Sequence, residues 1–593
     1  MPLSYNKLDP STNQIRLLTI LPDENDDNII RASLHIKSLN NACDFEALSY
    51  VWGDTSVTVD ISVDDCIVGV TPNLHAFLRG LRQPNTERTV WVDYVCINQN
   101  DISERNSQVP LMCQIYSTAR SVVVWLGDLT PDAMEIIAWY RANRDGLYFE
   151  STNLSILDAV CRLLECASAL CSAPYWHRVW TFQEWHLSRN APVCMHEKTA
   201  FTIGNMFDRL YEELNVARSR INARISLGIP SRAKSVDPNK VEDPTMLFII
   251  LQQKLDKILN AIPRDILSLG GRAPRSSGLG DLLLLTVDRQ CSNKVDRVYA
   301  LYGLSPVARA TYPPDYRKTI SQVNHETALF TLQHEANMEI FNDFDFCFNS
   351  VNKDESLPSW VVDFTTTDAE HRAKMQQSFS KTLHLDKALW EKTRDQNPMI
   401  TDDMQTLKLW CRTIGFSVVP YLLDYSAVEY IMEQLLFEEP DREHDTILKA
   451  ICYYTGCSKI IPADLFCEMM TYSVSGVEAW RATPRGYHTA LNRSFEKLIG
   501  HRYFPIATSA GMSLGFTDCA IRKGDRLVIP CGIAQVFVLR PIPEELLVDG
   551  EEVQCFKVIG RAYVEGISNR EEASPDPLRT EMEKTPPTHF CLR

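Results

Sequence analysis

The chain lacks most of the signatures that fix a function from sequence. No Cys-x-x-Cys pair occurs among its 18 cysteines, so zinc-site spacing is missing. It has no Gly-x-Gly-x-x-Gly and no Gly-Lys-Ser/Thr loop, which removes the Rossmann and P-loop ways of cradling a phosphate. His325-Glu326 and His334-Glu335 lack the second histidine of a zinc-protease helix. No apolar run approaches the ~20 residues that span a bilayer. The opening MPLSYNKLDPSTNQIRLL is polar and broken by prolines, unlike a signal peptide. Positive charge is in deficit: 60 Lys and Arg stand against 76 Asp and Glu, a net charge of −16. That speaks against a general nucleic-acid or anionic-membrane binder, which needs clustered cations. These absences point to a cytoplasmic protein with reduced cysteines as core fillers, no membrane span, no metal and no required cofactor.

The 593 residues are 45% apolar and 23% charged, enough for two to four domains with ordinary cores. The most informative stretch is Trp91 to Gln99. It begins as a buried strand, ends in a polar cluster, and holds Asp93 where a bare charge costs several kcal/mol unless paired or placed at the strand mouth. Upstream, Phe45 to Asp54 reads as a second strand closing in a Gly-Asp turn. Downstream, Asp101 and Glu104 fit a capping box. The helix that follows lines up Gln108, Met112, Ile115, Tyr116 and Ala119, with Pro110 kinking it or delaying its start. Ser121 to Gly127 is a third buried strand. Strand, helix, strand with short joints implies a parallel crossover and an α/β sheet.

Outside this region, residues 1–40 read as an N-terminal β extension, with strands at Gln14 to Leu21 and Ala32 to Lys37. A hairpin turns at Asp64-Asp65. Thr71-Pro72 opens a helix with Thr as cap. Residues 191–500 read as mainly helical, interrupted by polar loops near 224–243 and 270–280. Residues 501–568 read as a small β-rich module, and 569–593 as a charged, Pro-rich disordered tail.

The runs FEALSYVWGD, WVDYVCINQ, ERNSQVPLMCQIYSTARSVVVWLG and YWHRVWTFQE, in that order, resemble the successive motifs of the fungal heterokaryon-incompatibility (HET) domain, here spanning residues 41–190. DRVYALYGL, LPSWVVDF and the KGDRLVIPCG region resemble the usual setting of that domain. The resemblance implies a role in non-self recognition and the programmed cell death that follows fusion of incompatible hyphae, with self-association or a non-self sensor protein as partner. The HET domain is in turn distantly similar to TIR domains. That implies a mainly parallel sheet with flanking helices and, in many TIR members, cleavage of NAD by one glutamate. RVWTFQEW keeps the Trp-to-Glu spacing of the plant TIR motif. Arg178, Thr181 and Trp185 depart from that motif.

By that analogy Glu184 is the catalytic candidate. Open α/β sheets bind ligands at the carboxyl ends of their strands, which groups Trp52, Asp54, Asp93, Asn98 and Gln99. Arg178 and Trp180 join them from the last motif, with Trp52 or Trp180 stacking a base and NAD as substrate. Each residue has a plainer reading. Glu184 bridges to Arg178 or Arg189; Arg178 orders its motif; Trp91, Trp125 and Trp180 are core; His177 and His186 are bystanders; Cys96 lacks the partners of a thiol nucleophile. A non-catalytic signalling module and a silent divergent family member remain the alternative functions.

Overall fold

A computed structural model of the chain describes residues 3–41, 44–142, 162, 165–203, 206 and 278–335. Beyond these it describes 337–338, 340–344, 347, 356–365, 399–401, 404–417, 421–422, 502–508, 511–531, 533, 535–548, 551–564 and 588–593. Two compact units divide the chain at Thr319.

The first unit is built on a nine-stranded sheet in the order β5-β4-β2-β1-β6-β3-β7-β8-β9. Its strands are β1 (Gln14–Ile20), β2 (Arg31–Ser38), β3 (Glu46–Ser49), β4 (Val59–Val63), β5 (Cys66–Val70), β6 (Arg88–Trp91), β7 (Ser121–Trp125), β8 (Val193–His196) and β9 (Thr199–Phe201). At the centre β3 runs parallel to β6 and to β7, and β7 parallel to β8. The flanks are hairpins: β1 with β2, β4 with β5, β8 with β9. The sheet is therefore mixed, not mainly parallel. Short turns can join only antiparallel neighbours, and two such turns, at Asp64-Asp65 and Glu197-Lys198, feed it. Nor are residues 1–40 an appendage, since β1 lies inside the sheet between β2 and β6. The sheet also continues past residue 190 into β8 and β9.

Local signals explain the elements. Asp64 and Asp65 both take left-handed φ, at 49° and 62°, the requirement of a tight hairpin turn. Helix α1 (Pro72–Leu81) starts on the Thr71 hydroxyl, which accepts from Leu74 N at 3.3 Å, and buries Leu74, Phe77, Leu78 and Leu81. After β6 the chain forms one turn, α2 (Asp93–Cys96), then α3 (Ile102–Gln108), a 3₁₀ turn through Pro110, and α4 (Met112–Thr118) before β7. Proline lacks the N–H that a continuous helix would use, so the break falls where expected. Asp101 caps α3, accepting from Ser103 N and Glu104 N. Glu104 does not complete a capping box. Its carboxylate instead takes both guanidinium nitrogens of Arg16 at 2.6 and 3.0 Å, and the Asn98 N–H at 2.7 Å. Further helices are α5 (Pro131–Ala142), α6 (Val179–His186), α7 (Leu279–Leu285), α8 (Asp296–Tyr299) and α9 (Pro306–Thr311).

The second unit holds α10 (Ile320–Gln333), α11 (Ile340–Asp343) and a β-sheet of strands β10 to β18. Leu407–Ser417, Arg526–Pro530, Val536–Val548, Glu551–Val564, Gly511–Thr517 and Arg502–Thr508 pair successively, and the last pairs back on the first. This ring of six is barrel-like and leaves those strands without open edges. Its interior is apolar: Phe504, Ile506, Leu527, Val536, Val538 and Val564 are all buried. The β module is thus larger than residues 501–568, because an 11-residue strand from the expected helical middle belongs to it. The expected disordered tail also ends in a strand, Thr588–Leu592, paired with Leu407–Cys411. Phe590, Cys591 and Leu592 are all buried, which the charge count of the tail obscured. The polar loop at 224–243 and most of the tail lie outside the described residues, as does most of the helical reading for 365–500.

The Arg16–Glu104 pair is nearly buried, and removing one partner of such a pair strands the other's charge. Arg16→Ala should destabilise the first unit by about 3 kcal/mol, and Arg16→Ala with Glu104→Ala by less than the two single changes summed. Urea unfolding of the three variants checks this. Additive losses would refute a coupled buried pair.

Candidate functional site

Because β3 and β6 are parallel, their carboxyl ends open on the same side of the sheet. From β3 emerge Ser49, Tyr50 and Trp52; from β6 emerges Asp93, the first residue of α2. Across these ends packs α6, buried at every residue from Val179 to Glu184. A helix covered all round belongs to a core, and it carries Glu184 inward.

Glu184 is 3% exposed. The Ser49 hydroxyl donates to its Oε2 at 2.5 Å, and the Tyr175 hydroxyl lies 2.9 Å from Ser49 Oγ. Tyr116 donates to Leu48 O at 2.9 Å on the same floor. Burial disfavours the charged carboxylate and pushes Glu184 up to about 7. Arg178 and the Ser49 hydrogen bond oppose that rise, while Asp93 adds to it.

Asp93 is half-buried. The Trp52 indole donates to its Oδ2 at 2.8 Å, and Tyr94 N donates to Oδ1 at 2.8 Å. Burial raises its pKa as well, against the pull of Arg178. Tyr50, 2% exposed, turns its hydroxyl toward Asp93 without closing a regular hydrogen bond. Arg178 stands among these groups. Its guanidinium donates to Tyr50 O at 3.2 Å and lies 5.4 Å from the Trp52 ring. Among the described residues no acid closes to ion-pair distance with it.

The expected residues separate accordingly. Trp52, Asp93, Arg178 and Glu184 come together. Gln99 supports them from behind, its amide donating to Asp93 O at 2.8 Å. Asn98 does not face the site; its side chain accepts from Asn100 N in a local turn. Asp54 is exposed and holds Ser56 N at 2.8 Å after Gly53, whose φ of +75° requires glycine. A turn-forming role removes Asp54 from the site. Trp180 is 7% exposed, so it cannot offer a stacking face. Trp91 and Trp125 are core, against Tyr116 and Phe77. Glu184 makes no ion pair with Arg178 or Arg189 among the described residues. The Cys96 thiol is fully buried and pushed up to about 12 by that burial, which makes it no nucleophile.

Sequence reading missed Ser49, Tyr50 and Tyr175. All three lay inside quoted motifs, and for Ser49 a polar residue ending a buried strand was the signal available. Asp132, Glu135 and Cys166 also bring possible metal ligands within 4.8 Å of one another, but Arg162 already bridges the two carboxylates at 2.8 and 2.6 Å. No helix among the described residues is long and apolar enough to cross a membrane.

Residues 45–184 match the family model described as Heterokaryon incompatibility protein (HET). A curated relative, Heterokaryon incompatibility protein 6, OR allele, from Neurospora crassa, is 36% identical over 142 residues. The match covers 22% of this chain and 21% of that protein, so the chain spans about a fifth of the length of the relative. No solved structure matches. The chain carries a HET domain, and the site described above lies within it.

The raised pKa of Glu184 has a stability consequence. Between its ordinary 4.5 and about 7 the folded chain keeps a proton that the unfolded chain releases. The contribution of this group therefore falls as pH rises through that window and stays low above it. Asp93 and Asp296, also raised, act in the same sense, so the informative quantity is the difference between variant and wild type. Glu184→Gln keeps the shape and removes the charge. It should gain stability over wild type by up to about 3 kcal/mol on going from pH 5 to pH 8, read by urea unfolding at each pH. A difference that is flat or of opposite sign would show that Glu184 ionises freely.

Proposed function

We propose that the chain acts in fungal heterokaryon incompatibility, and that its HET domain drives the accompanying cell death by cleaving NAD at the Trp52–Asp93–Arg178–Glu184 site. The observation that carries this reading is the convergence of Asp93 and Glu184, from separate segments, around one arginine that neither closes upon. The TIR analogy for Glu184 points the same way.

In this reading Trp52 presents a face for the nicotinamide ring, and Arg178 takes a phosphate oxygen. With a pKa near 7, about half the Glu184 carboxyls are ionised at neutral pH. The positive charge of the bound pyridinium favours the ionised form further. As nicotinamide leaves with the bonding electron pair, that carboxylate stabilises the oxocarbenium-like ribose cation, and water completes hydrolysis at C1′. Glu184 at 3% exposure is sealed from solvent, so an opening of its surroundings must precede cleavage. Self-association, or contact with a non-self sensor in the cytoplasm, is the proposed trigger.

A second reading is favoured by the same burial: the domain is a non-catalytic recruiting module, and Glu184 is a neutral structural acid held by Ser49. Assembled wild-type protein incubated with NAD should release nicotinamide, and Glu184→Ala and Glu184→Gln should each lose at least ~100-fold of that rate. Should Glu184→Gln kill cells as wild type does, with no nicotinamide released by either, the recruiting module stands and the enzyme falls.

A further inference from the structure

We propose that Ser49 and Tyr175 are positioning residues of this site, joined in a hydroxyl chain that points its protons at the Glu184 carboxylate. The proposal rests on reading Glu184 as the acid of the site, within the proposed function.

Proton count fixes the direction of the chain. A serine hydroxyl carries one proton and two lone pairs. Ser49 gives that proton to Glu184 Oε2, at 2.5 Å. Its contact with the Tyr175 hydroxyl, at 2.9 Å, must then run the other way, with Tyr175 donating and Ser49 accepting. The order is Tyr175 to Ser49 to Glu184. Each donor polarises the next, so the two hydroxyls act on the carboxylate as one stronger donor. A chain of that sense favours the anion over the neutral acid. It engages one oxygen of the carboxylate, Oε2, and so orients the group.

Both hydroxyls are held by their surroundings. Ser49 ends β3, is 0% exposed, and pairs with Val124 of β7. One residue earlier, Leu48 O accepts from the Tyr116 hydroxyl of α4 at 2.9 Å. Tyr175 is 1% exposed, in the 3₁₀ turn Pro174–His177, with its ring edge-on to Trp176 at 5.0 Å. The Thr181 hydroxyl shares its proton between Tyr175 O at 2.7 Å and Arg178 O at 2.8 Å, and accepts from Arg289 at 3.0 Å. The chain thus ties the end of the central strand to the turn before α6 and to the acid on that helix. The other charged or titratable groups that act on Glu184 are Asp93 from α2, Arg178 at the start of α6, Tyr116 from α4 and Tyr50 after β3. Cys194 of β8 and Arg289 act on Tyr175. None of them is a link in the chain, and all stay in place in the variants compared below.

The test uses the full chain and reads the ionisation of Glu184 directly, by infrared titration of the carboxylic-acid carbonyl band. Each background is measured with and without Glu184→Gln, so that the difference isolates this one carboxyl. Ser49→Ala removes the donor to the anion and should raise the pKa of Glu184 by roughly one. Tyr175→Phe keeps the ring, removes the donor behind Ser49, and should raise it by roughly a third as much. With Ser49→Ala already present, Tyr175→Phe should add nothing, because Tyr175 reaches Glu184 only through Ser49. An unchanged pKa in Ser49→Ala overturns the proposal. So does an equal rise from Tyr175→Phe with and without Ser49, since Tyr175 would then act on its own. If Ser49→Ala fails to fold, Tyr175→Phe is read by itself, and an unchanged pKa in it overturns the proposal. Nicotinamide release by wild type is scored beside the titrations. Its absence refutes NAD cleavage and leaves the comparison of pKa values intact.

Discussion

Four residues, Glu46–Ser49, form β3, and every one is buried between two parallel neighbours. The strand is tied at both ends by side chains. At its start Glu46 takes Arg88 at 2.5 and 3.2 Å and Ser121 at 3.2 Å, with Arg120 at 3.4 Å. These cations outweigh burial and hold the Glu46 carboxyl below its usual range. At its end Ser49 holds Glu184 and Tyr175. Two buried acids at opposite ends of one strand thus meet opposite fates. One is ionised by neighbouring arginines; the other is left half-neutral under an arginine that does not reach it. The sheet needs the first to fix the register of β6, β3 and β7, and the chemistry proposed here depends on the second.

That contrast explains what the sequence could disclose. Strands β3, β6 and β7, the hairpin at Asp64-Asp65, the Thr71 and Asp101 caps and the break at Pro110 were all readable. Each is decided by residues within a few positions of one another. The carboxyl-end rule placed Trp52 and Asp93 on one rim, and the structure keeps them there at 2.8 Å. Trp180 and Glu184 stand one turn apart on α6 and are both buried, whereas Trp176 precedes that helix in a 3₁₀ turn.

What was not legible is long-range. Glu104 sits where a capping box predicts a local bond, yet Arg16, 88 residues earlier, claims its carboxylate. A buried guanidinium outcompetes a neighbouring N–H because an unpaired charge costs more than an unpaired amide. Asp54 follows a strand as Asp93 does, but its turn points it to solvent and two Ser56 groups satisfy it. The downstream segment that meets α6 carries no periodicity linking it to that helix; only its motif-like run DRVYALYGL hinted that it mattered. The strand at Thr588–Leu592 was hidden by the composition of the residues before it, since composition averages over lengths greater than a strand.

These long-range contacts bear on where the working domain ends. The motifs stop at Glu184, and a boundary near residue 190 would seem natural. Such a piece would keep β3, β6, β7 and the inner face of α6. It would lose β8, which pairs with β7, and it would uncover Phe182 and Gln183, the groups that Arg289 and Gly303 cover. Phe182 is 0% exposed in the intact unit, and exposing a side chain of that size costs about 2 kcal/mol. Glu184 would feel the change without touching it. Its pKa is held near 7 chiefly by exclusion of water, and a frayed α6 admits water and returns the carboxyl toward its ordinary range. The charge state of the central acid is therefore a property of the whole first unit, Met1–Thr319, and not of the segment in which the acid is written.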